Sequence, residues 1–123
     1  MGNYSSKVER NKIGNQGCEA FRAAVAGKEA SLVEILSLSG NGIQEAGLQS
    51  LCEGLRKCPA LVSLDLSFND LGPGAVKALT QVVLQLQILS LRQTNLSAVQ
   101  DLGALLQRRV PEVRLQRLDL SHN

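Results

Sequence analysis

Leucines and one asparagine recur along the chain in a fixed order, L-x-x-L-x-L-x-x-N-x-L. The clearest copy lies around residues 63–76, SLDLSFNDLGPGAV, and runs through Leu61, Leu64, Leu66, Asn69 and Leu71. Within it apolar and polar residues alternate, so Leu64 and Leu66 are predicted to point to one side of a short strand and the residues between them to the other. Copies of the pattern begin at Val33, Leu61, Leu86 and Leu115.

The asparagine position sets the length of the repeat. It is occupied by Asn11, Asn41, Asn69, Thr94 and Asn123. These positions follow one another at roughly 25 to 30 residues, a period typical of repeat architectures. The side-chain amide in this position can bond backbone groups left unpaired where the strand bends, and the threonine hydroxyl can do part of this. The shortest interval, from Asn69 to Thr94, predicts a trimmed loop around Leu84.

The two ends of the chain depart from the full pattern. Residues 1–10 are expected to be partly disordered or a degenerate repeat whose strand half has decayed. Residues 11–123 are expected to form an array that is incomplete at both ends, because the last copy of the pattern stops at Asn123 without a helical half. The chain is therefore interpreted as a fragment or isoform of a larger protein.

A helical half follows each complete strand segment. After Gly47, apolar residues stand at Leu48, Leu51, Cys52 and Leu55, which is the spacing of one helix face. The unit aligned on Gly74 repeats this face with Ala75, Ala78, Leu79 and Val82. The predicted fold class is therefore α/β, a solenoid with parallel strands on its concave face and helices on its convex face.

The repeated pattern is that of leucine-rich repeats. With a strand, a glycine and a long helix in each full-length unit, the chain from Asn11 onward resembles the ribonuclease-inhibitor-like subclass, and "CPALVSLDLS" resembles the arrays of NOD-like receptors and Tonsoku-like scaffolds. This resemblance implies a module that binds a protein partner, within a larger sensor or scaffold. It is specific for the fold and poorly specific for the function.

Charge and residue types argue against several other functions. Thirteen Lys and Arg against eleven Asp and Glu give a net charge of +2, unlike the strongly acidic ribonuclease inhibitor, and no basic stripe with aromatics predicts nucleic-acid binding. No residues assemble a catalytic set, since the single histidine, His122, has no triad partners that could converge on it. We therefore expect no enzyme activity, metal, cofactor or small-molecule substrate. A GTPase-activating array remains an alternative, although no arginine or asparagine can be placed for it.

Three cysteines occur without a C-x-x-C pair, which indicates neither a zinc site nor a disulfide framework. Cys18 and Cys52 occupy apolar helix positions and are expected to be buried. Cys58, beside Pro59, is expected to be the most accessible to solvent. This cysteine usage and the lack of a signal peptide favour an intracellular, cytoplasmic location, with the nucleus as an alternative.

The N-terminal sequence MGNYSSK matches the N-myristoylation pattern, with Gly2 as the acceptor and Ser6 in the hydroxyl position. Basic residues follow at Lys7, Arg10 and Lys12, and such a cluster is a common second membrane signal. A membrane-tethered regulator is thus an alternative function, which mass spectrometry of the intact N-terminus would distinguish. The membrane is a partner only if Gly2 is acylated.

The leading hypothesis is a non-catalytic module that binds a protein through its concave face. Residues that alternate with the leucines should form columns across the strands, free of packing roles. Phe68 is either an interface anchor with a polar surround or an unengaged surface aromatic. The predicted contacts are Ile35, Ser37, Ser63, Asp65, Phe68, Ile88, Arg92, Gln93, Arg117, Asp119 and His122.

Overall fold

A parallel five-stranded sheet runs through the chain, with its strands in sequence order. The computed structural model describes residues 5–7, 14–24, 33–72, 74–80, 82–96, 115–121 and 123. The strands are β1 (Ser5–Lys7), β2 (Ile35–Ser37), β3 (Ser63–Asp65), β4 (Ile88–Ser90) and β5 (Arg117–Asp119). The helices are α1 (Gly14–Ala24), α2 (Glu45–Leu55) and α3 (Ala75–Leu79), and a short 3-10 helix follows at Val83–Gln85. The predicted repeat of strand and helix is confirmed.

Strand β1 lies in the segment whose strand half was expected to have decayed. Ser5 pairs with Ile35 and Lys7 with Ser37, so this strand precedes β2 by the same interval that separates Asn11 from Asn41. The backbone of this segment thus forms a strand although its leucine pattern is degenerate. Its sequence, SSK, carries no leucine, and parallel pairing needs only backbone groups, so the leucine pattern could not reveal it.

The helices bury the faces that the periodicity predicts. Leu48, Leu51, Cys52 and Leu55 of α2 are fully buried, and Leu64 and Leu66 pack in the same core from the strand side. The shortest repeat contains α3, which is only one turn long where α2 has three, in agreement with its trimmed length. None of the described helices is long and apolar enough to cross a membrane.

The Asn69 side chain ties its own repeat to the preceding one. Its Oδ1 accepts hydrogen bonds from the N–H of Asn41 (2.9 Å) and of Ile43 (3.0 Å). Its Nδ2 donates to the carbonyls of Leu38 and Leu66, both at 2.9 Å. A buried amide thus satisfies backbone groups on two consecutive turns, which would otherwise each cost free energy.

Asn123 repeats this arrangement one step further along, around Thr94. Its Oδ1 accepts from the N–H of Thr94 (3.0 Å) and of Leu96 (2.9 Å). Thr94 itself is too short to reach the turn before it, and its hydroxyl donates to the Leu91 carbonyl at 2.8 Å, with Asn123 Oδ1 at 3.2 Å as the alternative acceptor. Its backbone carbonyl accepts the N–H of Leu71 at 3.1 Å, the group that an asparagine amide would be expected to bind.

A second tie between repeats lies on the convex side, at the start of α2. Gln44, the N-cap residue, makes no side-chain cap. Asn15 of the preceding repeat caps the helix instead, because its Oδ1 accepts from the N–H of Gln44 and of Gly47, both at 2.9 Å. A Cβ on Gly47 would overlap this amide, and a Cβ on Gly74 would overlap the Glu45 carboxylate in the same way one repeat later.

All three cysteines are free thiols in the interior. Cys18 and Cys52 are fully buried as predicted, and burial raises the pKa of their thiols to about 11 and about 12. Cys58 is also fully buried, so the prediction that solvent reaches it is wrong. It lies beneath the end of α2, with its Sγ 3.7 Å from the carbonyl oxygen of Gly54, and burial raises its pKa as well.

The first prediction concerns Leu66, which is fully buried in the middle of the array. We expect Leu66→Ala to lower the free energy of unfolding by about 2 to 5 kcal/mol, as large-to-small changes in cores do. Urea denaturation followed by circular dichroism measures this. An unchanged midpoint would mean that the leucine does not carry the packing.

A second prediction compares two asparagine positions. Asn69→Ala should lower the free energy of unfolding by about 3 kcal/mol or more, because several buried backbone groups lose their partners at once. Thr94→Asn should raise it by about 1 kcal/mol, because the added amide oxygen can take the place that Asn69 Oδ1 has one repeat earlier and accept the N–H of Asn69 in addition to that of Leu71. Denaturation of both variants checks this, and a destabilised Thr94→Asn would contradict the role assigned to the amide.

Candidate functional site

The sheet register brings the predicted contact residues together in columns across the strands. Paired positions place Ile35, Ser63, Ile88 and Arg117 in one column. The next column contains Ser37, Asp65, Ser90 and Asp119. The leucines between these columns lie on the opposite side of the sheet. We call the side that carries the two columns the concave face.

Large apolar side chains are exposed on this side of the sheet. Among the described residues, the exposed large hydrophobic side chains are Phe68 (47% exposed) and Ile35 and Ile88 (37% each). Ile35 and Ile88 stand in one column with the small Ser63 between them, about 10 Å apart for two strand spacings. All three apolar residues belong to the contact set predicted from the sequence.

Phe68 stands at the turn that follows β3. Its φ of 60° is left-handed, and the equivalent positions in the neighbouring repeats, Gly40 (68°) and Gln93 (52°), are left-handed too. Its N–H donates to the carbonyl of Arg92 at 2.9 Å. The guanidinium carbon of Arg92 lies 5.9 Å from the centre of the phenylalanine ring, within the range of a cation–π contact.

A shallow hollow of about 410 Å³, the strand-end hollow, opens beside this ring. It is lined by Phe68, Asn69, Asp70, Gln93 and Asn95. Asn95 also has a left-handed φ of 58°, and its Nδ2 donates to Asp70 Oδ1 at 3.0 Å. Sequence reasoning missed Asp70 and Asn95. The available signal was the tendency of asparagine to adopt left-handed turns.

Asp65 and Asp119 have structural roles that the sequence analysis did not foresee. Asp65 Oδ1 accepts the N–H of Ser67 at 2.9 Å, and Asp119 Oδ1 accepts that of Ser121 at the same distance. Both carboxylates are only half-buried and still border the concave face, but each also fixes the turn at the end of its strand. The expectation that residues alternating with the leucines are free of packing roles is therefore wrong here.

Two serines that alternate with the leucines lie below the surface. Ser37, a predicted contact, is only 9% exposed, so little of its side chain is available to a partner. Its side chain is short, and strands pair with β2 on both sides. Ser67 is buried too, and its hydroxyl is 2.7 Å from that of Ser90.

The other predicted contacts are distributed as follows. Arg92 and Arg117 are exposed, and Ser63 is half-buried. Gln93 lines the strand-end hollow. His122 and the predicted acylation site, Gly2, lie outside the described residues. The assembled surface thus combines apolar side chains with arginines, around turns held by the aspartates.

Comparisons with known proteins agree with this geometry. A family model described as "Leucine Rich repeat" matches residues 30–52 and 57–79. Leiomodin-1 actin-binding site 2 is similar in structure, with a TM-score of 0.76, 16% identity, and coverage of 97% of this chain and 70% of that one. The tropomodulin C-terminal domain from Caenorhabditis elegans has a TM-score of 0.72, 19% identity, and coverage of 96% and 73%. A search of curated proteins found no match.

At these identities the two structures establish the fold and leave the function open. The resemblance to the ribonuclease-inhibitor-like subclass, drawn from the strand, glycine and helix of each unit, stays a prediction at that level of detail. The asparagine hydrogen bonds between repeats, the parallel strands and the two repeats matched by the family model together establish the fold. The chain has the leucine-rich repeat fold.

Proposed function

We propose that this chain is a non-catalytic module that binds a protein partner on its concave face, with Phe68 as the anchor. The observation that carries the proposal is an exposed aromatic ring on a left-handed backbone, at a position where the preceding repeat has glycine. A left-handed conformation costs a non-glycine residue about 1 to 2 kcal/mol. Gly40 and Gln93 share this conformation, so it belongs to the turn of the repeat, and it is the exposed aromatic ring at this position that favours a binding role.

The surroundings of Phe68 fit the composition of a binding site. Aromatic residues and arginine are enriched where interfaces concentrate their binding energy, and Arg92 lies against the ring. Ile35 and Ile88 offer a second apolar area further along the strands. The strand-end hollow beside the ring offers amide and carboxylate groups for hydrogen bonds.

Actin is the first partner to test. The structural neighbour from leiomodin-1 is its actin-binding site 2, and the likeness extends over 97% of this chain. The comparison gives a reason to choose actin for the first assay. The concave-face proposal itself holds for any protein partner.

A membrane-tethered regulator is the second candidate, because MGNYSSK carries an acylation pattern followed by basic residues. The two functions are compatible, since an acylated N-terminus would bring the concave face close to a membrane. A cytoplasmic location and membership of a larger sensor or scaffold are part of the proposal. A GTPase-activating array is the remaining alternative, but no arginine or asparagine can be assigned the activating role.

The third prediction separates stability from binding at the turn after β3. Phe68→Gly should not lower the free energy of unfolding, because relief of roughly 1 kcal/mol of left-handed strain offsets the lost contact with Arg92. Asp65→Ala should lower it by about 1 kcal/mol, because the N–H of Ser67 loses its acceptor. Denaturation curves check both. A Phe68→Gly variant that melts well below the parent would show that the ring has a packing role.

The fourth prediction concerns affinity. Phe68→Gly should weaken binding of the partner about thirtyfold, which corresponds to about 2 kcal/mol for an anchor residue. The measurement is a titration with monomeric actin. If the parent does not bind actin, the same variants are compared for the proteins that they retain from a lysate.

Gln49→Ala is the control, since Gln49 is exposed on α2 on the convex side. It should leave the affinity unchanged. If Gln49→Ala weakens the complex while Phe68→Gly binds like the parent, the convex helices carry the interaction and the proposal fails.

A further inference from the structure

The strand-end hollow presents hydrogen-bond acceptors to a partner. Among the described residues that line it, Asp70 is the one with a formal charge, and its side chain is exposed. Asn95 Nδ2 donates to Asp70 Oδ1 at 3.0 Å, so the donor end of the Asn95 amide is turned to the carboxylate. That bond uses one carboxylate oxygen, and a carboxylate accepts from several donors at once. The hollow therefore favours a positively charged group that donates hydrogen bonds.

The aromatic side of the hollow favours the same kind of group. Phe68 lines it, and the face of an aromatic ring attracts cations, arginine more often than lysine. Arg92 already places its guanidinium carbon 5.9 Å from the centre of this ring. Arg92 lies outside the set of described residues that line the hollow. Because Coulomb energy falls with distance, a cation in contact with the Asp70 carboxylate is attracted by it more strongly than Arg92 repels it.

The size of the hollow suits one long side chain. Its volume of about 410 Å³ lies near the lower end of the range for ligand pockets, about 300 to 1,000 Å³, and it is shallow. Asn69 gives it a fixed wall, since this residue is buried and its amide is bound to the backbone of the preceding repeat. An arginine reaches such a hollow with its planar head group while its backbone stays on the surface of the partner.

We propose that the strand-end hollow receives an arginine side chain of the protein partner. The guanidinium donates a forked pair of hydrogen bonds to the Asp70 carboxylate and packs against the Phe68 ring. The inference rests on the proposed function, because it takes Phe68 as part of the binding surface, and it adds the chemistry of the group that the partner inserts. A small arginine derivative tests it without the partner, so its failure is distinct from a failure of the anchor.

The fifth prediction uses N-acetyl-arginine amide as the probe and the isotope-labelled full chain, followed by heteronuclear NMR at low salt. The backbone amide signals of Asp70 and Asn95 should shift and saturate with a dissociation constant of about 10 to 100 mM, the strength of one charge-assisted contact with a carboxylate and one cation–π contact. N-acetyl-citrulline amide has nearly the same shape without the charge. It should bind at least about threefold more weakly.

Variants of the two main contacts separate their contributions. Asp70→Asn keeps an acceptor for Asn95 but removes the charge, and it should raise the dissociation constant of the probe at least about threefold. Phe68→Leu keeps an apolar side chain but removes the aromatic ring, and it should raise the constant about twofold or more. The matched control is Glu19→Gln, which removes an exposed carboxylate on α1 and should leave the constant unchanged. All three positions are exposed, so the variants should fold, and circular dichroism verifies this.

The other outcomes overturn the inference. They are a probe that produces no saturable shift at Asp70 and Asn95, an Asp70→Asn variant that binds it like the parent, and equal weakening by Glu19→Gln. N-acetyl-lysine amide should bind more weakly than the arginine probe, because an ammonium lacks the planar fork, and equal or tighter binding overturns the choice of a guanidinium. Tighter binding of N-acetyl-glutamate amide at these signals would assign the turn to an acidic group of the partner, bound by Arg92, and overturns it too.

Discussion

The rest of the structure depends on a side-chain amide that hydrogen-bonds the backbone of the preceding repeat. Asn69 belongs to the repeat of β3, yet its Oδ1 bonds the N–H groups of the turn before it, and Asn123 does the same for the turn at Thr94. A single repeat therefore cannot satisfy its own turn. Because the recorded hydrogen bonds of the Asn69 amide all go to backbone atoms, the turn fixes the path of the chain and leaves the exposed residues free to vary.

On the convex side, too, a side chain of one repeat contacts the backbone of the next, here at the start of a helix. Asn15 caps α2 from the preceding repeat, and the Glu45 carboxylate lies against Gly74 in the corresponding place before α3. The contact at Gly47 needs a backbone without Cβ, because a Cβ there would overlap Asn15 Cα as well as its amide. Polar ties thus link consecutive repeats at the turn and at the start of α2, with the leucine core between them. Stability is then a property of neighbouring pairs of repeats.

Much of the fold could be predicted because its signals are periodic. The leucine spacing indicated the strands, the register and the buried helix faces, and the asparagine spacing gave the repeat lengths. Features without periodicity were missed. Strand β1 has no leucine, Cys58 is covered by the end of α2, and the Asp65 carboxylate accepts a hydrogen bond from the N–H of Ser67. Each of these depends on how the chain bends after an element, which residue type alone does not specify.

The main residue of the candidate site, Phe68, lies in a turn whose backbone geometry the leucine pattern does not predict. Ser67, Phe68 and Asn69 are consecutive, but Ser67 is buried against Ser90 and Asn69 is buried in its ties to the preceding repeat. With both neighbours fixed, the backbone of Phe68 has little freedom, and it keeps a left-handed conformation that a phenylalanine would not adopt alone. Contacts that hold the repeats together thereby hold the ring outwards. A partner that uses it meets an anchor whose backbone is already ordered, which lowers the entropy cost of binding.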